Sequence, residues 1–343
     1  MKKIKLLLVS AGSLVAQNLI EIIQHSREAF HIIGTNSLDD FHTLKELDQF
    51  IKSPLTISPD IFSFLTSTIE NELPDLVIPC RDEDAVVLAK LAEMNPGLSS
   101  KISLTDSQLA ENFYDKFFSY KMCEEVGLPF AYTRLATEYE SNGILEAPFI
   151  LKPKKGFASK GVRLIVNPVQ IDSLNGSKEN FIDQERLGEE LELLSRISEF
   201  DTLGYPLHFS FEENKYSIQI YSASELSNSS YFIGKHFMKN GISYQVERWQ
   251  DESLEFIARI SLEKFHKLGL RGPLNIQLQR SKEGCFKIFE FNCRFTGATS
   301  SRFLLGFNEL DLLLKDHLGV SVFQNSKTEF SKARKVVQTI GAN

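Results

Sequence analysis

The side chains best suited to chemistry lie in a short stretch near the end of the chain, Phe289 to Arg294. Alternate side chains of a β-strand face the same side, so Glu290, Asn292 and Arg294 are predicted to share one face. The other face would carry the remaining side chains: Phe289, Phe291 and Cys293. The sequence therefore predicts a strand with one polar face and one apolar face.

A second predicted strand, Leu274 to Gln279, precedes this stretch, and Ser281 to Gly284 supplies the turn of a hairpin. Pairing of the two strands would place Gln277 beside Glu290. A carboxylate, amide oxygens and a guanidinium on one face suit oxygen-ligated Mg²⁺ bridged to phosphate. In isolation the pattern is more typical of a half-buried hairpin with a solvated polar face, so the rest of the sequence must decide.

A lysine-rich loop is the second candidate for phosphate chemistry. The predicted strand Ala147 to Pro153 delivers Lys152, and the segment Lys154 to Gly161 combines glycines, small residues and lysines before a strand at Val162 to Val166. Such a loop can surround phosphates with backbone N–H groups while ammonium groups neutralise charge. A mobile surface hairpin with solvated lysines is an equal alternative.

The first hundred residues predict the scaffold. A strand at Lys3 to Val9, a turn and a helix at Leu14 to Gln24 form a βα unit. Further elements are predicted at His31 to Thr35 and Leu76 to Pro79 (strands) and at Ala85 to Glu93 (helix). This alternation predicts a parallel, doubly wound sheet. Only Gly12 stands where a dinucleotide-binding turn requires three spaced glycines, which disfavours an NAD(P) site.

The remaining elements predict a mixed α/β and α+β chain. Helices are predicted at Ser107 to Val126 and Ser253 to Lys267. Two hairpins are predicted to turn at 201–204 and 213–215, and strands at Tyr231 to Met238 and Ile242 to Val246. A final strand is predicted at Ala333 to Ile340.

Composition narrows the class of protein. The chain has 343 residues, 42% hydrophobic content and a net charge of −7, without a long basic block. These values argue against nucleic-acid or membrane-surface partners. The four cysteines show neither zinc-ligand nor disulfide spacing. The N-terminal apolar run is too short for a signal peptide, so we expect a cytoplasmic protein.

The motifs occur in an order that resembles the ATP-grasp superfamily, nearest to the carboxylate-amine ligases and the synthetase units of carbamoyl phosphate synthase. They are the lysine on a strand, the Gly/Ser/Lys loop, Gln184-Glu185, Gly272 to Gln277 and Glu290-x-Asn292-x-Arg294. Each motif is weak alone, whereas five in one order are specific. The resemblance implies a Rossmann-like N-terminal domain followed by an ATP-grasp fold.

The resemblance also implies roles for individual residues. The expected ligands of the ATP phosphates are Lys116, Lys152 and the loop residues Lys154, Lys155, Ser159 and Gly161. The expected contacts of adenine and ribose are Gln184, Glu185, Arg186, Leu187 and Glu190. The expected magnesium ligands are Gln277, Glu290 and Asn292, with Mn²⁺ as an alternative ion. The expected catalytic residues are Arg294, which would stabilise the acylphosphate or the transferred phosphoryl group, and Lys235, a further candidate for a phosphate contact.

Two departures from the family pattern bear on these roles. Gln277 stands where many members have an acidic residue, although the carbamoyl phosphate synthase branch also has glutamine there. The segment Phe209 to Ser217 competes with Gln184 to Leu187 as the adenine hinge. The implied domains are 1–105 (Rossmann-like), 106–320 (ATP-grasp, with a lid at about 113–187) and 321–343 (C-terminal extension).

The predicted function is an ATP- and Mg²⁺-dependent ligase. It would activate a substrate carboxylate as an acylphosphate, which a small-molecule amine or similar nucleophile then captures. A non-catalytic ATP-binding or regulatory protein on the same fold is the alternative, motivated by Gln277 and by a hinge that is one residue shorter than the family pattern. The resemblance leaves a homodimer open, and the identity of the substrates is beyond the sequence.

Overall fold

The computed structural model describes residues 2–102, 105–138, 147–156, 160–167, 170–171, 178–188, 190–204, 214–239, 241–323 and 330–336. Three sheets organise these residues. Among the described residues, no helix combines the length and the apolar character needed to cross a membrane.

The first sheet is parallel, as predicted. Its elements are β1 (Ile4–Val9), α1 (Leu14–Ile23), β2 (Phe30–Asn36), β3 (Gln49–Lys52), α2 (Ile61–Glu72), β4 (Leu76–Pro79), α3 (Asp82–Met94) and the short α4 (Pro96–Ser99). The strand order is β3–β2–β1–β4. Helix α1 begins at Ser13, whose hydroxyl accepts from the backbone N–H of Ala16. Neither β3 nor α2 was predicted from the sequence.

The second sheet is small and antiparallel. It follows two helices and precedes a third: α5 (Ser107–Tyr114), α6 (Lys116–Val126), β5 (Thr133–Leu135), β6 (Phe149–Pro153), β7 (Arg163–Ile165), β8 (Phe181–Glu185) and α7 (Glu190–Leu203). The strand order is β5–β8–β6–β7. Because β6 lies inside this sheet, Lys152 comes from a strand that is paired on both sides.

Two predictions about this region are wrong. The single helix predicted over Ser107 to Val126 is two helices, because Asp115 has extended backbone angles and its carboxylate caps α6. The hairpin predicted to turn at 201–204 is replaced by α7, which continues to Leu203. Of the second predicted turn, 213–215, residue 213 lies outside the described residues, and Lys215 already belongs to the next strand.

The third sheet carries the hairpin singled out from the sequence. Its elements are β9 (Lys215–Ser222), β10 (Ser230–Lys239), β11 (Ile242–Arg248), α8 (Glu252–Lys267), β12 (Gly272–Arg280), β13 (Phe286–Asn292), α9 (Thr299–Leu304), α10 (Glu309–Leu318) and β14 (Lys332–Arg334). The strand order is β13–β12–β9–β10–β11–β14. The predicted final strand is shorter than expected within the described part of the chain, and residues 337–340 lie outside it.

Clusters of buried apolar side chains hold the helices against the sheets. One apolar cluster joins α5, α6 and α8 to one face of the third sheet through residues such as Phe113, Phe265 and Phe291. Another joins the first sheet to α10 through residues such as Leu19 and Leu314. The polar face of the third sheet therefore lines the cavities that lie between it and the other two sheets.

Candidate active site

The hairpin β12–β13 has the predicted register. Gln277 pairs with Glu290, and Asn275 pairs with Asn292. A β-bulge follows, because Leu278 pairs with Ile288 and leaves Phe289 as an extra residue in β13. Phe289 therefore lines the same cavity as Glu290, and it also packs against the apolar cluster that contains Phe291.

A cavity of about 250 Å³ lies between this hairpin and the second sheet. Four lysines from separate elements line it: Lys116, Lys152, Lys160 and Lys215. Apolar side chains also line it, including Ile150, Val162 and Leu187. A cavity lined by both cations and apolar side chains suits a nucleoside triphosphate.

Lys152 is held close to the charges of Lys116 and Lys215. Its side chain is buried, its ammonium donates to the Phe289 carbonyl oxygen at 3.0 Å and lies 5.6 Å from the ring of the same residue. Burial lowers the pKa of Lys152 to about 7, with Lys116 and Lys215 adding to the shift and Glu290 opposing it. Near neutral pH this lysine therefore carries its charge only part of the time.

Glu290 is the anionic partner of these lysines. Its Oε1 lies 3.8 Å from the ammonium of Lys116, which also donates to the Gly156 carbonyl oxygen at 3.3 Å. Burial raises the pKa of Glu290, but the positive charges of Lys116, Lys152 and Lys215 outweigh burial and hold it below its usual range. Glu290 is thus a carboxylate at neutral pH.

Nucleotide affinity is expected to fall as the pH rises through about 7, because the pKa of Lys152 lies there. The triphosphate stabilises the charged ammonium, so binding above this pH takes up a proton and weakens by up to about tenfold per pH unit. Calorimetry of ATP binding near pH 8.5, in buffers of different ionisation enthalpy, measures that uptake. Lys152→Met should abolish it.

Lys155→Met is the matched control for this measurement, because the Lys155 ammonium lies 6.0 Å from the Tyr114 ring and does not line the cavity. This variant should keep the proton uptake. An ATP affinity that is independent of pH between about 6.5 and 8.5 would contradict the assignment of Lys152 to the phosphates.

The expected magnesium ligands form a hydrogen-bonded chain. The Lys215 ammonium donates to Gln277 Oε1 at 2.7 Å, and Gln277 Nε2 donates to Asn292 Oδ1 at 2.8 Å. The Gln277 oxygen is therefore occupied by a lysine, which does not favour its expected role as a metal ligand. Glu290 and Asn292 supply one carboxylate and one amide oxygen from the same face of β13.

This donor set fits one magnesium ion shared with a triphosphate. Mg²⁺ in nucleotide sites is commonly held by one or two carboxylates, substrate phosphates and water. Within the described residues, no group of three or more His, Cys, Asp or Glu side chains forms a metal site built from protein alone. The residues present would therefore bind the ion together with the nucleotide.

Some of the residues expected around adenine and ribose line the cavity, and others lie outside the described part of the chain. The cavity is lined by Gln184, Glu185, Arg186 and Leu187. Glu185 makes an ion pair with Lys287 at 2.8 Å and accepts from the Tyr132 backbone N–H at 3.1 Å. Glu190 begins α7, and its side chain lies outside what the structure describes. Residues 209–213 of the rival hinge, Phe209 to Ser217, also lie outside the described part.

Some residues of the glycine-lysine loop, Lys154 to Gly161, line the cavity. Gly156 and Lys160 line the cavity, whereas Lys154 contributes a carbonyl oxygen that accepts from the Lys116 N–H at 2.9 Å. Gly161 has a φ of +79° and lies against Pro153, a conformation that other residues rarely adopt. Ser159 lies outside the described residues. Lys160 and Lys215 were not among the predicted site residues, although both are lysines within the segments considered.

Arg294 follows β13 and reaches toward the N-terminal domain. Its guanidinium donates to Asp82 at 2.6 Å and to the Phe295 carbonyl oxygen at 2.9 Å. Its Nε is buried and has no hydrogen-bond partner within the part of the chain that the structure describes. Arg294 therefore lies beside Asn292 with a donor that an incoming anion could use.

Lys235 is not at the site, which corrects the expectation that it contacts phosphate. Its ammonium lies 5.0 Å from the Trp249 ring and 5.3 Å from the Phe237 ring. The neighbouring residue, His236, lines a cavity instead. The two residues alternate along β10, so a lysine one position from the cavity face points to the other side of the sheet.

A second cavity, of about 380 Å³, adjoins the first. It lies between the N-terminal ends of α1 and α3 and the polar face of the third sheet, and Ser13, Arg81 and Arg294 line it. Lys215, Gln277 and Glu290 line both cavities. The two cavities therefore meet beside Glu290, an expected magnesium ligand.

The chain shares its fold with solved ATP-grasp structures, which confirms the predicted fold class. L-amino acid ligase from Bacillus licheniformis is 14% identical, with 92% of this chain and 74% of that chain covered and a TM-score of 0.65. N5-carboxyaminoimidazole synthetase from Staphylococcus aureus is 11% identical, with 95% and 80% covered and a TM-score of 0.67.

A third similar structure contains nucleotide. It is the biotin carboxylase domain dimer of Hydrogenobacter thermophilus 2-oxoglutarate carboxylase, in complex with MgADP, ADP and bicarbonate. It is 12% identical, with 94% of this chain and 71% of that chain covered and a TM-score of 0.64. No protein-family model matches the sequence, and no curated protein matches it significantly.

Proposed function

We propose that this protein is an ATP- and Mg²⁺-dependent ligase that joins a carboxylate to an amine through an acylphosphate. The observation that carries the proposal is the meeting of the two cavities at Lys215, Gln277 and Glu290. A nucleotide in the first cavity would present its γ-phosphate at this junction, where a carboxylate in the second cavity could reach it.

The lysines of the first cavity bind and orient the triphosphate. Lys116 and Lys152 come from a helix start and a central strand, so their ammonium groups are positioned before the nucleotide arrives. Fixed positive charge near the γ-phosphate stabilises the charge that spreads over its oxygens during transfer. Magnesium, when bound through Glu290 and Asn292, would supply further neutralisation of that charge.

Arg294 is suited to the oxygen atoms of the activated substrate. It lines the second cavity beside Asn292 and keeps its buried Nε free of hydrogen bonds among the described residues. A donor in this place would stabilise the acylphosphate and orient it toward the nucleophile. No side-chain nucleophile is needed, because positioning and electrostatics carry both steps.

We propose three domains: 1–105, 106–320 with a lid at about 113–187, and 321–343. The first domain would contribute the substrate wall and the second the nucleotide site. We retain a homodimer, the use of Mn²⁺ and a cytoplasmic location as parts of the proposal. The dimer of the similar biotin carboxylase domain supports the first of these.

A non-catalytic ATP-binding protein is the second candidate. It is favoured by Gln277, because its oxygen accepts from Lys215 and adds no negative charge for a metal ion. This candidate predicts ATP binding without turnover. The two functions therefore differ in ADP release.

A hydroxamate assay tests the proposal. The protein is incubated with ATP, Mg²⁺ and hydroxylamine, together with each of the standard amino acids in turn and then with other small carboxylic acids. An acylphosphate reacts with hydroxylamine to a coloured hydroxamate, so we expect ADP and hydroxamate in equal amounts for at least one acid. Tight ATP binding with neither product for any acid would support the second candidate.

A further inference from the structure

Three side chains on adjacent strands of the third sheet form a linear hydrogen-bonded group: Ser217 of β9, His236 of β10 and Ser243 of β11. His236 Nε2 lies 2.6 Å from Ser217 Oγ, and His236 Nδ1 lies 2.7 Å from Ser243 Oγ. Ser217 is 3% exposed and His236 is 4% exposed. All three line the second cavity.

The contacts favour the tautomer of His236 in which Nε2 is the acceptor. Ser243 Oγ donates to Met238 Sδ at 3.4 Å, so its lone pairs are available to His236 Nδ1–H. A neutral imidazole with the proton on Nδ1 leaves Nε2 as an acceptor for the Ser217 hydroxyl. A hydroxyl that donates to an imidazole, which a third group orients, is the arrangement that catalytic sites use to move protons.

The imidazole is kept neutral. Burial lowers the pKa of His236 well below 6.5, and the positive charges of Lys215, Arg302 and Lys335 lower it further. At neutral pH the ring is therefore uncharged, which leaves Nε2 with a lone pair that can accept from the Ser217 hydroxyl.

The group lies beside the junction of the two cavities. Ser217 pairs with Gln277 in the sheet and is two residues from Lys215, so both β9 side chains share the cavity face. The reacting carbon of an acylphosphate held at Lys215, Gln277 and Glu290 would therefore lie near the Ser217 hydroxyl. The group is also within the cavity through which a second substrate would approach.

We infer that Ser217 and His236 form a proton relay that deprotonates the incoming amine, with Ser243 as the positioning residue. This inference rests on the proposed function. The amine nitrogen forms a bond to the acyl carbon, and the bond from that carbon to the phosphate oxygen breaks, with the electron pair leaving on phosphate. An amine that arrives as an ammonium ion loses one proton before attack and a second proton after the bond has formed. Each proton passes to Ser217 Oγ, whose own proton passes to His236 Nε2, and the imidazolium returns it to water in the cavity before the next transfer.

The test compares two nucleophiles on the same acylphosphate. Hydroxylamine is unprotonated at neutral pH and strongly nucleophilic, so it needs little help from a base. Amino acids offered as nucleophiles are ammonium ions and must lose protons. For an acid that yields hydroxamate, we expect Ser217→Ala and His236→Gln to keep hydroxamate formation within about twofold and to lower amide formation about 100-fold or more.

The chain offers a matched control on the same strand. Ser222 Oγ lies 3.0 Å from His266 Nδ1, and neither residue lines either cavity described above. His266→Gln should change the ratio of amide to hydroxamate by less than about twofold. Ser243→Ala should lower the ratio less than His236→Gln, because its loss frees the imidazole to rotate without removing it.

The outcomes separate the relay from the proposed function. A wild-type protein that forms neither ADP nor hydroxamate overturns both. A wild-type protein that forms both, with variants that lose hydroxamate and amide in equal proportion, overturns the relay alone. If His236→Gln fails to fold, Ser217→Ala serves as the test, because replacing a buried serine by alanine changes the side-chain volume little. An unchanged amide-to-hydroxamate ratio in Ser217→Ala overturns the relay.

Discussion

Glu290→Gln is expected to lower the kcat for ADP release by about 10²- to 10³-fold or more. The substitution keeps the shape of the side chain and removes the negative charge that lies 3.8 Å from the Lys116 ammonium at the junction of the two cavities. Loss of one preorganised electrostatic contact at the site of phosphoryl transfer commonly costs this much. The measurement is ADP release with hydroxylamine and the best carboxylic acid from the panel.

Glu283→Gln provides the matched control, since Glu283 lies exposed in the turn of the same hairpin. It should retain wild-type turnover. Calorimetry without Mg²⁺ should show that Glu290→Gln still binds ATP, because the lysines remain. Turnover of Glu290→Gln within about threefold of wild type would contradict the assignment of Glu290 to the reacting phosphate.

Glu309→Ala is expected to cost about 3–5 kcal/mol in the free energy of unfolding. Arg302 and Glu309 are both fully buried, and Arg302 Nε donates to Glu309 Oε1 at 2.5 Å. Arg302 also donates to the hydroxyls of Thr296 and Thr299 at 3.0 and 3.1 Å. Removing the carboxylate leaves a buried guanidinium without its counter-ion, which is the costly way to break such a pair.

Urea denaturation at neutral pH measures this loss. Glu263→Ala is the control, because Glu263 makes an exposed ion pair with Lys267 and its removal should leave the unfolding midpoint unchanged. A double substitution, Arg302→Met with Glu309→Leu, should recover most of the stability lost in Glu309→Ala, since it removes both charges. A Glu309→Ala protein as stable as wild type would show that Arg302 is compensated by other groups.

The parts of the site that were predictable from sequence are those set by local pattern. The alternation of Glu290 and Asn292, together with the turn that precedes β13, predicted the hairpin with Gln277 opposite Glu290. Lys152 was identifiable because a buried-type strand delivers it. These features depend on residues that are close in the chain.

The parts that were missed depend on contacts between distant residues. Lys215 and Lys160 resemble ordinary surface lysines until the sheets are packed together, whereas Lys235 lies one residue out of phase with the cavity face. Ser217, His236 and Ser243 come from three strands, so no spacing in the sequence relates them. Asp115 divides a helix because its carboxylate caps the second half, which helical periodicity alone does not reveal.

Because of the bulge at Phe289, the position of Lys152 depends on a main-chain atom. The extra residue in β13 leaves the Phe289 carbonyl oxygen to accept from Lys152 and, at 3.4 Å, from Gln184. The atom that anchors the lysine is therefore part of the main chain, which every amino acid possesses. Exchange of the phenylalanine side chain leaves this anchor in place, whereas deletion of the single residue would remove it and return the hairpin to an unbroken ladder.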